Sequence, residues 1–166
     1  MLPVKRWADY NPTTRLARKP PMTRDEIQQL IPHRDPFLWL DEIVELSESR
    51  IHARKALSPD LPVFTGHYPS FPVFPGVLQL EAAMHAGAVL IAKTSTLEPG
   101  KVPVATRIND VRFRRMVRPG ETLDIEVELT ERVSNAFFLT AKVSVGGQVT
   151  VRFEFACAAA DSASSA

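Results

Sequence analysis

The spacing of apolar residues changes along this chain of 166 residues, and each spacing predicts a different kind of element. Thr23 and Glu26 form a capping-box pattern ahead of apolar residues at helical spacing, which predicts a short helix ending before Pro32. Residues 37–44 are bulky and apolar, and residues 51–57 alternate between apolar and polar. A polar turn separates these two segments, so they predict an antiparallel hairpin.

A long apolar segment begins at Pro75 and leaves almost no polar face through residue 92. Because such a segment needs apolar cover on most sides, it predicts a central helix enclosed by other structure. Beyond it, turn signals separate four strand-like segments, 102–113, 122–133, 137–145 and 148–157. The predicted fold class is α+β, with a long, curved antiparallel sheet wrapped around the central helix.

The chain divides into three parts by composition. Residues 1–22 are rich in arginine, lysine and proline without a sustained apolar period, which predicts a flexible basic extension. Residues 23–157 hold all the predicted elements and form one domain, which is the number of domains this length favours. Residues 158–166 are small and polar, which predicts a disordered tail.

Composition limits the classes of partner. Lysine and arginine number 20 against 19 aspartates and glutamates, so no strong overall field favours nucleic acid or an anionic membrane. The amino terminus carries charges and prolines where a signal peptide has its apolar run, and we expect a soluble, cytoplasmic protein without membrane insertion. The single cysteine, Cys157, excludes an intramolecular disulfide framework, and its apolar surroundings favour a buried thiol.

The candidate chemistry lies at the entry to the apolar helix. His67 sits in a loop framed by Gly66 and several prolines, so the stiffness of the chain would position its imidazole. Glu81 lies within the apolar helix, where burying a carboxylate is costly without a partner. Gly76 opens this helix, whose first amides lack intrahelical acceptors and carry partial positive charge. A base, a carboxyl group and amide dipoles suit proton removal beside a carbonyl with loss of a β-hydroxyl.

A structural role remains open for each of these residues taken alone. His67 could be a loop histidine bonded to a backbone carbonyl, and Glu81 could pair with Arg114 or Arg115, since buried ionisable groups are often structural pairs.

Five ordered motifs resemble the β-hydroxyacyl-[acyl-carrier-protein] dehydratases of the hot dog fold, closest to the type that carries glutamate. Residues 31–38 resemble the family's amino-terminal L-P-H-R-x-P-F-L signature, and residues 64–69 resemble its catalytic F-x-G-H-F-P. Residues 74–82 match the helix entry with the family's spacing from histidine to glutamate, and residues 111–115 and 117–121 match a later strand and turn. The likeness covers residues 23–157.

The resemblance implies an enzyme, a hydro-lyase that converts 3-hydroxyacyl-[acyl-carrier-protein] to the trans-2-enoyl product in fatty-acid, related lipid or polyketide-like biosynthesis. His67 would be the base at the α-carbon, Glu81 would assist departure of the hydroxyl, and the Gly76 amide would bind the thioester carbonyl. The substrate would arrive on the phosphopantetheine arm of an acyl carrier protein, with no metal or other cofactor. The family's active site combines histidine and glutamate from opposite subunits, implying a homodimer, a hexamer built as a trimer of dimers, or a heterodimer with a related subunit.

Two departures from the family pattern lie beside these residues. Ser70 stands where the family has glycine and Phe71 where it has a variable residue, so the loop is bulkier, and Tyr68, Phe71 and Phe74 are the candidate pocket or gate residues. His85 replaces the glutamine of the family's E-A-x-x-Q pattern. Residues four apart share a helix face, so His85 could retune Glu81, or it could fill the glutamine's place as a hydrogen-bond donor.

A basic cluster lies at the end of the first predicted strand after the helix and just beyond it. Its members are Arg112, Arg114, Arg115 and Arg118. Carrier proteins are generally acidic, so the cluster is a candidate docking patch, with a solvated strand face as the alternative. Two other functions remain open: an acyl-thioesterase on the same fold, and a catalytically silent acyl- or carrier-binding partner subunit.

Overall fold

A computed structural model describes residues 20–95 and 97–161, and its core is one sheet with one long helix. The helices are α1 (Arg24–Leu30), α2 (Val63–Gly66) and α3 (Gly76–Thr94). The strands are β1 (Met22–Thr23), β2 (Glu42–Leu46), β3 (Arg50–Ala56), β4 (Lys101–Phe113), β5 (Thr122–Val133), β6 (Ala136–Val145) and β7 (Gln148–Asp161). The predicted short helix, central helix and four long strands are confirmed, with their ends shifted by a few residues.

The strands form a seven-stranded antiparallel sheet in the order β1-β2-β3-β5-β6-β7-β4. One face of the sheet packs on α3, which contacts β3 to β7 and is buried along most of its length. Gly87 allows this close approach, because a Cβ there would lie 2.7 Å from the ring of Phe155. The predicted α+β hot dog architecture, a curved sheet around a central helix, is confirmed.

The segment before the hairpin is tied down by polar contacts. Thr23 caps α1 in the predicted capping box with Glu26. From the first turn of α1, Arg24 bonds the Leu40 carbonyl and pairs with Asp35 and Asp41. These contacts hold the segment leading to Trp39 against the sheet, and that segment contributes to the site described below.

Some sequence-based boundaries were wrong. The hairpin strand predicted from residue 37 begins at Glu42, because residues 37–41 form a turn and an extended connection. The loop ahead of His67 contains α2, whose four residues are too few to show a period. Residues 158–161 are not a disordered tail: they continue β7 and pair with β4, as in Lys101 with Asp161. Residues 1–19 and 162–166, and so most of the predicted extension and tail, lie outside the described residues.

Cys157 is buried on β7, and burial raises the pKa of its thiol to about 11. A thiol of this kind stays protonated near neutral pH, which fits the structural role predicted for it. Among the helices that the structure describes, none has the length and apolar character needed to cross a membrane.

Candidate active site

A backbone carbonyl fixes the orientation of His67. α2 ends at Gly66, and the His67 ring places Nδ1 2.7 Å from the Val73 carbonyl oxygen. A carbonyl only accepts hydrogen bonds, so Nδ1 carries the hydrogen and Nε2 holds the free lone pair. The ring also stacks on Tyr68, with centroids 4.1 Å apart. The carbonyl contact that could have marked a structural histidine therefore leaves Nε2 available as a base.

The start of α3 lies next to this loop. Leu78 and Gln79 donate their amides to the Pro75 carbonyl, so the amides of Gly76 and Val77 precede the helix's own hydrogen bonds. A Cβ at Gly76 would lie 2.5 Å from the ring of Phe113, so a larger residue there would displace this ring. Since Phe113 is 54% exposed, it offers an apolar wall beside the helix entry.

Glu81 lies deeper along α3 and pairs with His85 on the same face. Glu81 Oε1 is 3.0 Å from His85 Nε2, with the carboxylate side chain 24% exposed and the imidazole 1% exposed. The contact is bent, so the ring nitrogen meets the carboxylate away from the ideal hydrogen-bond line. Bonding by His85 lowers the pKa of the Glu81 carboxyl despite the opposing effect of burial.

The other nitrogen of His85 faces a backbone donor. The Trp39 amide donates to His85 Nδ1 at 3.3 Å. Because a backbone amide only donates, Nδ1 is the unprotonated nitrogen and Nε2 carries the hydrogen directed at Glu81. A carboxamide could make the same two contacts, one with its oxygen and one with its nitrogen, so this arrangement matches the second role predicted for His85.

His33 completes a small cluster with these two residues. Its ring lies 4.1 Å from that of His85 between centroids, and its Nδ1 is buried without a hydrogen-bond partner among the described residues. Burial first, and then the neighbouring His85, lowers the pKa of His33. His33 therefore packs as a neutral ring against His85.

The same cluster meets the distance requirement for a metal site. His33, Glu81 and His85 each offer one ligand atom, and these atoms lie within 4.8 Å of one another. A neutral imidazole that binds a cation through Nε2 must carry its hydrogen on Nδ1. In His85 that hydrogen would point at the Trp39 amide hydrogen, so the hydrogen bonding of this ring disfavours a metal ion.

His67 and Glu81 have different partners in this structure. In the described part of the chain, no hydrogen bond or ion pair joins them. Glu81 does not pair with Arg114 or Arg115 either, because its partner is His85 and Arg115 pairs with Glu121. The structural explanation based on an arginine partner is therefore wrong, and the carboxylate faces the cluster formed with His85 and His33.

The three aromatic candidates for a pocket or gate separate into two groups. Tyr68 and Phe71 are exposed beside His67, and the Arg118 guanidinium lies 4.6 Å from the Phe71 ring centroid. Phe74 is only 1% exposed and packs between Trp39 and Phe64. Phe74 is thus a core residue, because its bridge to Val117 turns the side chain inward.

The basic cluster is partly neutralised. Arg115 pairs with Glu121, whereas Arg112, Arg114 and Arg118 are exposed. Arg112 lies directly opposite Arg152 on β7, whereas the next residue in this row, Lys142 on β6, pairs with Glu126. Like charges placed side by side on neighbouring strands repel unless an anion binds them. Arg152 could not be assigned to this basic cluster from the sequence, because its position beside Arg112 depends on strand register.

Trp39 and Val73 were also missed as contributors to the site. Each acts through a backbone group, the Trp39 amide on His85 and the Val73 carbonyl on His67. Neither contact has a residue-type signature, since every residue other than proline carries the same amide and carbonyl. The proline-framed loop after His67 was the one available signal, as it predicted a fixed imidazole.

Comparison with solved structures places this fold in a known class. The dehydratase heterocomplex ApeI:P from Xenorhabdus doucetiae matches with a TM-score of 0.69 at 17% identity, covering 81% of this chain and 91% of that chain. The PaaI protein of the Escherichia coli phenylacetic acid degradation operon matches with a TM-score of 0.57 at 14% identity, covering 70% and 80%. At these identities the matches establish the hot dog fold alone.

Sequence comparison identifies the family. A family model described as a FabA-like domain matches residues 31–154. The 3-hydroxyacyl-[acyl-carrier-protein] dehydratase FabZ of Anaeromyxobacter sp. (strain K) is 40% identical over 149 residues, covering 87% of this chain and 94% of the relative. The enzyme of the same name from Staphylococcus carnosus is 41% identical over 138 residues, covering 82% and 94%. This chain belongs to the 3-hydroxyacyl-[acyl-carrier-protein] dehydratase family.

Proposed function

We propose that this protein is a hydro-lyase that converts 3-hydroxyacyl-[acyl-carrier-protein] to trans-2-enoyl-[acyl-carrier-protein]. The observation that carries the proposal is the His67 ring, held by the Val73 carbonyl just ahead of α3 with Nε2 left available, in a chain about 40% identical to such dehydratases over most of its length. The pathway would be cytoplasmic fatty-acid or related lipid or polyketide-like biosynthesis.

The residues of the site suit the two bond changes of this reaction. His67 Nε2 takes the proton from the α-carbon, and the Gly76 amide stabilises the negative charge that develops on the thioester oxygen. Glu81 then assists departure of the β-hydroxyl. His85 tunes this carboxylate, because bonding by the imidazole lowers the pKa of Glu81. The reaction needs no redox change, and the phosphopantetheine arm belongs to the carrier protein.

A complete site requires a second copy of the chain. β4 is the edge strand of the sheet, and its outer side has no strand partner among the described residues. Val104, Ile108 and Phe113 on this strand are exposed, and a long apolar edge of this kind is a template for strand pairing. We expect two copies to pair along β4, which would bring His67 of one copy near Glu81 of the other.

Further assembly is consistent with this dimer. A hexamer would be a trimer of such dimers, since closed symmetric assemblies are the usual outcome for soluble homo-oligomers. A heterodimer with a related subunit is the other arrangement that the edge strand allows, and the structural match to a dehydratase heterocomplex supports it as the second candidate. In that case this chain alone would bind acyl or carrier groups without turnover.

The test of the function is direct turnover of the purified protein. We expect 3-hydroxyacyl-carrier-protein to lose the mass of one water and give the enoyl thioester. Release of free carrier thiol would indicate a thioesterase, and tight binding without either product would indicate a silent partner subunit. A series of acyl chain lengths in the same assay measures which chains the site accepts.

Charge reversal tests the basic cluster as the docking patch. We expect Arg112→Glu with Arg114→Glu to raise KM for carrier-bound substrate by about tenfold, because both side chains are exposed and an acidic carrier would lose attraction. Turnover of the same acyl group on pantetheine should change less than twofold. Arg132→Glu is the matched control, since Arg132 is exposed near the opposite end of the sheet. Equal losses on both substrates would contradict docking.

A further inference from the structure

Backbone contacts assign the hydrogens of the two imidazoles before any substrate binds. The Val73 carbonyl places the His67 hydrogen on Nδ1, and the Trp39 amide places the His85 hydrogen on Nε2. His67 therefore enters the reaction with an empty Nε2. His85 enters it with its protonated Nε2 3.0 Å from a Glu81 carboxylate oxygen, in a bent contact.

The surroundings of Glu81 favour its ionised form. On its own helix, the carboxylate faces the His85 hydrogen. From the segment after α1 it faces His33, which also lowers its pKa. The ring of Phe37, which also packs on His85, carries no charge. Among the described residues, both histidines of this cluster therefore favour the charged form of the carboxylate.

We propose that Glu81 works as an ionised hydrogen-bond acceptor and that His67 itself returns the α-proton to the departing hydroxyl. This inference deepens the proposed dehydration and rests on it. Glu81 would hold the β-hydroxyl in place by accepting its hydrogen, and His85 would be the positioning residue that keeps the carboxylate charged. No second proton donor is then needed at the site.

His67 is the only group that must carry a proton in this scheme. The Cα–H bond breaks, the proton moves to His67 Nε2, and the electron pair remains with the enolate held at the Gly76 amide. The enolate pair then forms the Cα–Cβ double bond as the Cβ–O bond breaks, and the hydroxyl leaves as water with the proton from Nε2. His67 is neutral again, and Glu81 has stayed a carboxylate throughout.

The pH dependence of kcat/KM tests this assignment. A pantetheine-linked substrate removes the titration of the carrier from the measurement. We expect the rate not to fall on the alkaline side, up to pH 9. If Glu81 were instead the proton donor, the required protonated form would disappear and the rate would fall about tenfold per pH unit on the alkaline side. Such a fall would overturn the proposal.

Two substitutions separate positioning from folding. His85→Gln can accept from the Trp39 amide and donate to Glu81, so we expect kcat/KM within about threefold of the parent and the same profile. His85→Leu can do neither, which raises the pKa of Glu81, and we expect a loss of about tenfold at pH 6 that shrinks toward pH 9. Circular dichroism and the melting temperature check that both variants fold.

The outcomes distinguish the inference from the function on which it rests. If the parent protein never forms enoyl product, the proposed function is wrong. If the parent is active but its rate falls at alkaline pH, only the inference about the ionised Glu81 is wrong. A His85→Leu variant more active than the parent at pH 9 would also overturn it. Parent and His85→Gln profiles that differ would do the same, since they would mean that His85 acts through its own charge.

Discussion

Replacing His67 with alanine is expected to lower kcat/KM for dehydration by roughly a thousandfold, the usual contribution of a positioned base. The reason lies in the geometry of the ring, whose Nδ1 is committed to the Val73 carbonyl and whose Nε2 holds the only free lone pair of that imidazole. The measurement is the rate of enoyl formation from 3-hydroxyacyl-carrier-protein, followed by the loss of water in mass spectra.

The matched control for this variant is His52→Gln. His52 lies on β3, and its Nε2 is 2.9 Å from a carboxylate oxygen of Asp124 on the neighbouring strand β5. No reaction is proposed at this pair. The variant should keep activity within about twofold, since a part-buried polar pair on a strand contributes mainly to stability. Retention of more than a tenth of the parent activity by folded His67→Ala would remove this histidine from the role of base.

Mixing two inactive variants is expected to restore about a quarter of the parent activity, because random pairing makes half of the dimers mixed and each mixed dimer holds one intact site. The variants are His67→Ala and Glu81→Ala, each of which should be inactive alone. The expectation follows from the absence of a His67 to Glu81 contact within the described part of one chain and from the unpaired outer side of β4.

Co-expression with two different affinity tags allows the mixed dimers to be isolated and assayed. The control is a mixture of two differently tagged His67→Ala chains, which contains no intact site and should stay inactive. If the isolated mixed dimers were as inactive as this control, the shared site would be excluded. Size-exclusion chromatography with light scattering would show whether the diluted protein is a monomer. Activity in such a monomer would also exclude the shared site.

The main elements were predictable because their signals are local. The capping box at Thr23 and Glu26 fixed the start of α1, and the unbroken apolar segment after Pro75 predicted α3 within two residues of its observed ends. Alternation between turn signals located β4 to β7 for the same reason. The predictions were wrong where no period exists, as in the four residues of α2, and where small residues continue a strand, as at residues 158–161.

Candidate site residues were recognisable by type and spacing, while their partners were not. His67, Gly76, Glu81 and His85 belong to one stretch of sequence, and the spacing of four residues predicted the observed pairing of Glu81 with His85. Phe74 was misassigned because an aromatic residue in a loop gives no sign of which way it faces. Its burial comes from Trp39 and Phe64, whose rings reach it from other segments of the chain.

The sequence by itself determined the elements, the family and the residues able to carry the chemistry, because these depend on side-chain type and on spacing over a few turns. Only the tertiary structure decided which nitrogen of each imidazole holds the hydrogen. That choice is made by the Trp39 amide, 46 residues from His85, and by the Val73 carbonyl. Backbone groups carry no sequence signature, so their effect is visible only after the chain has folded.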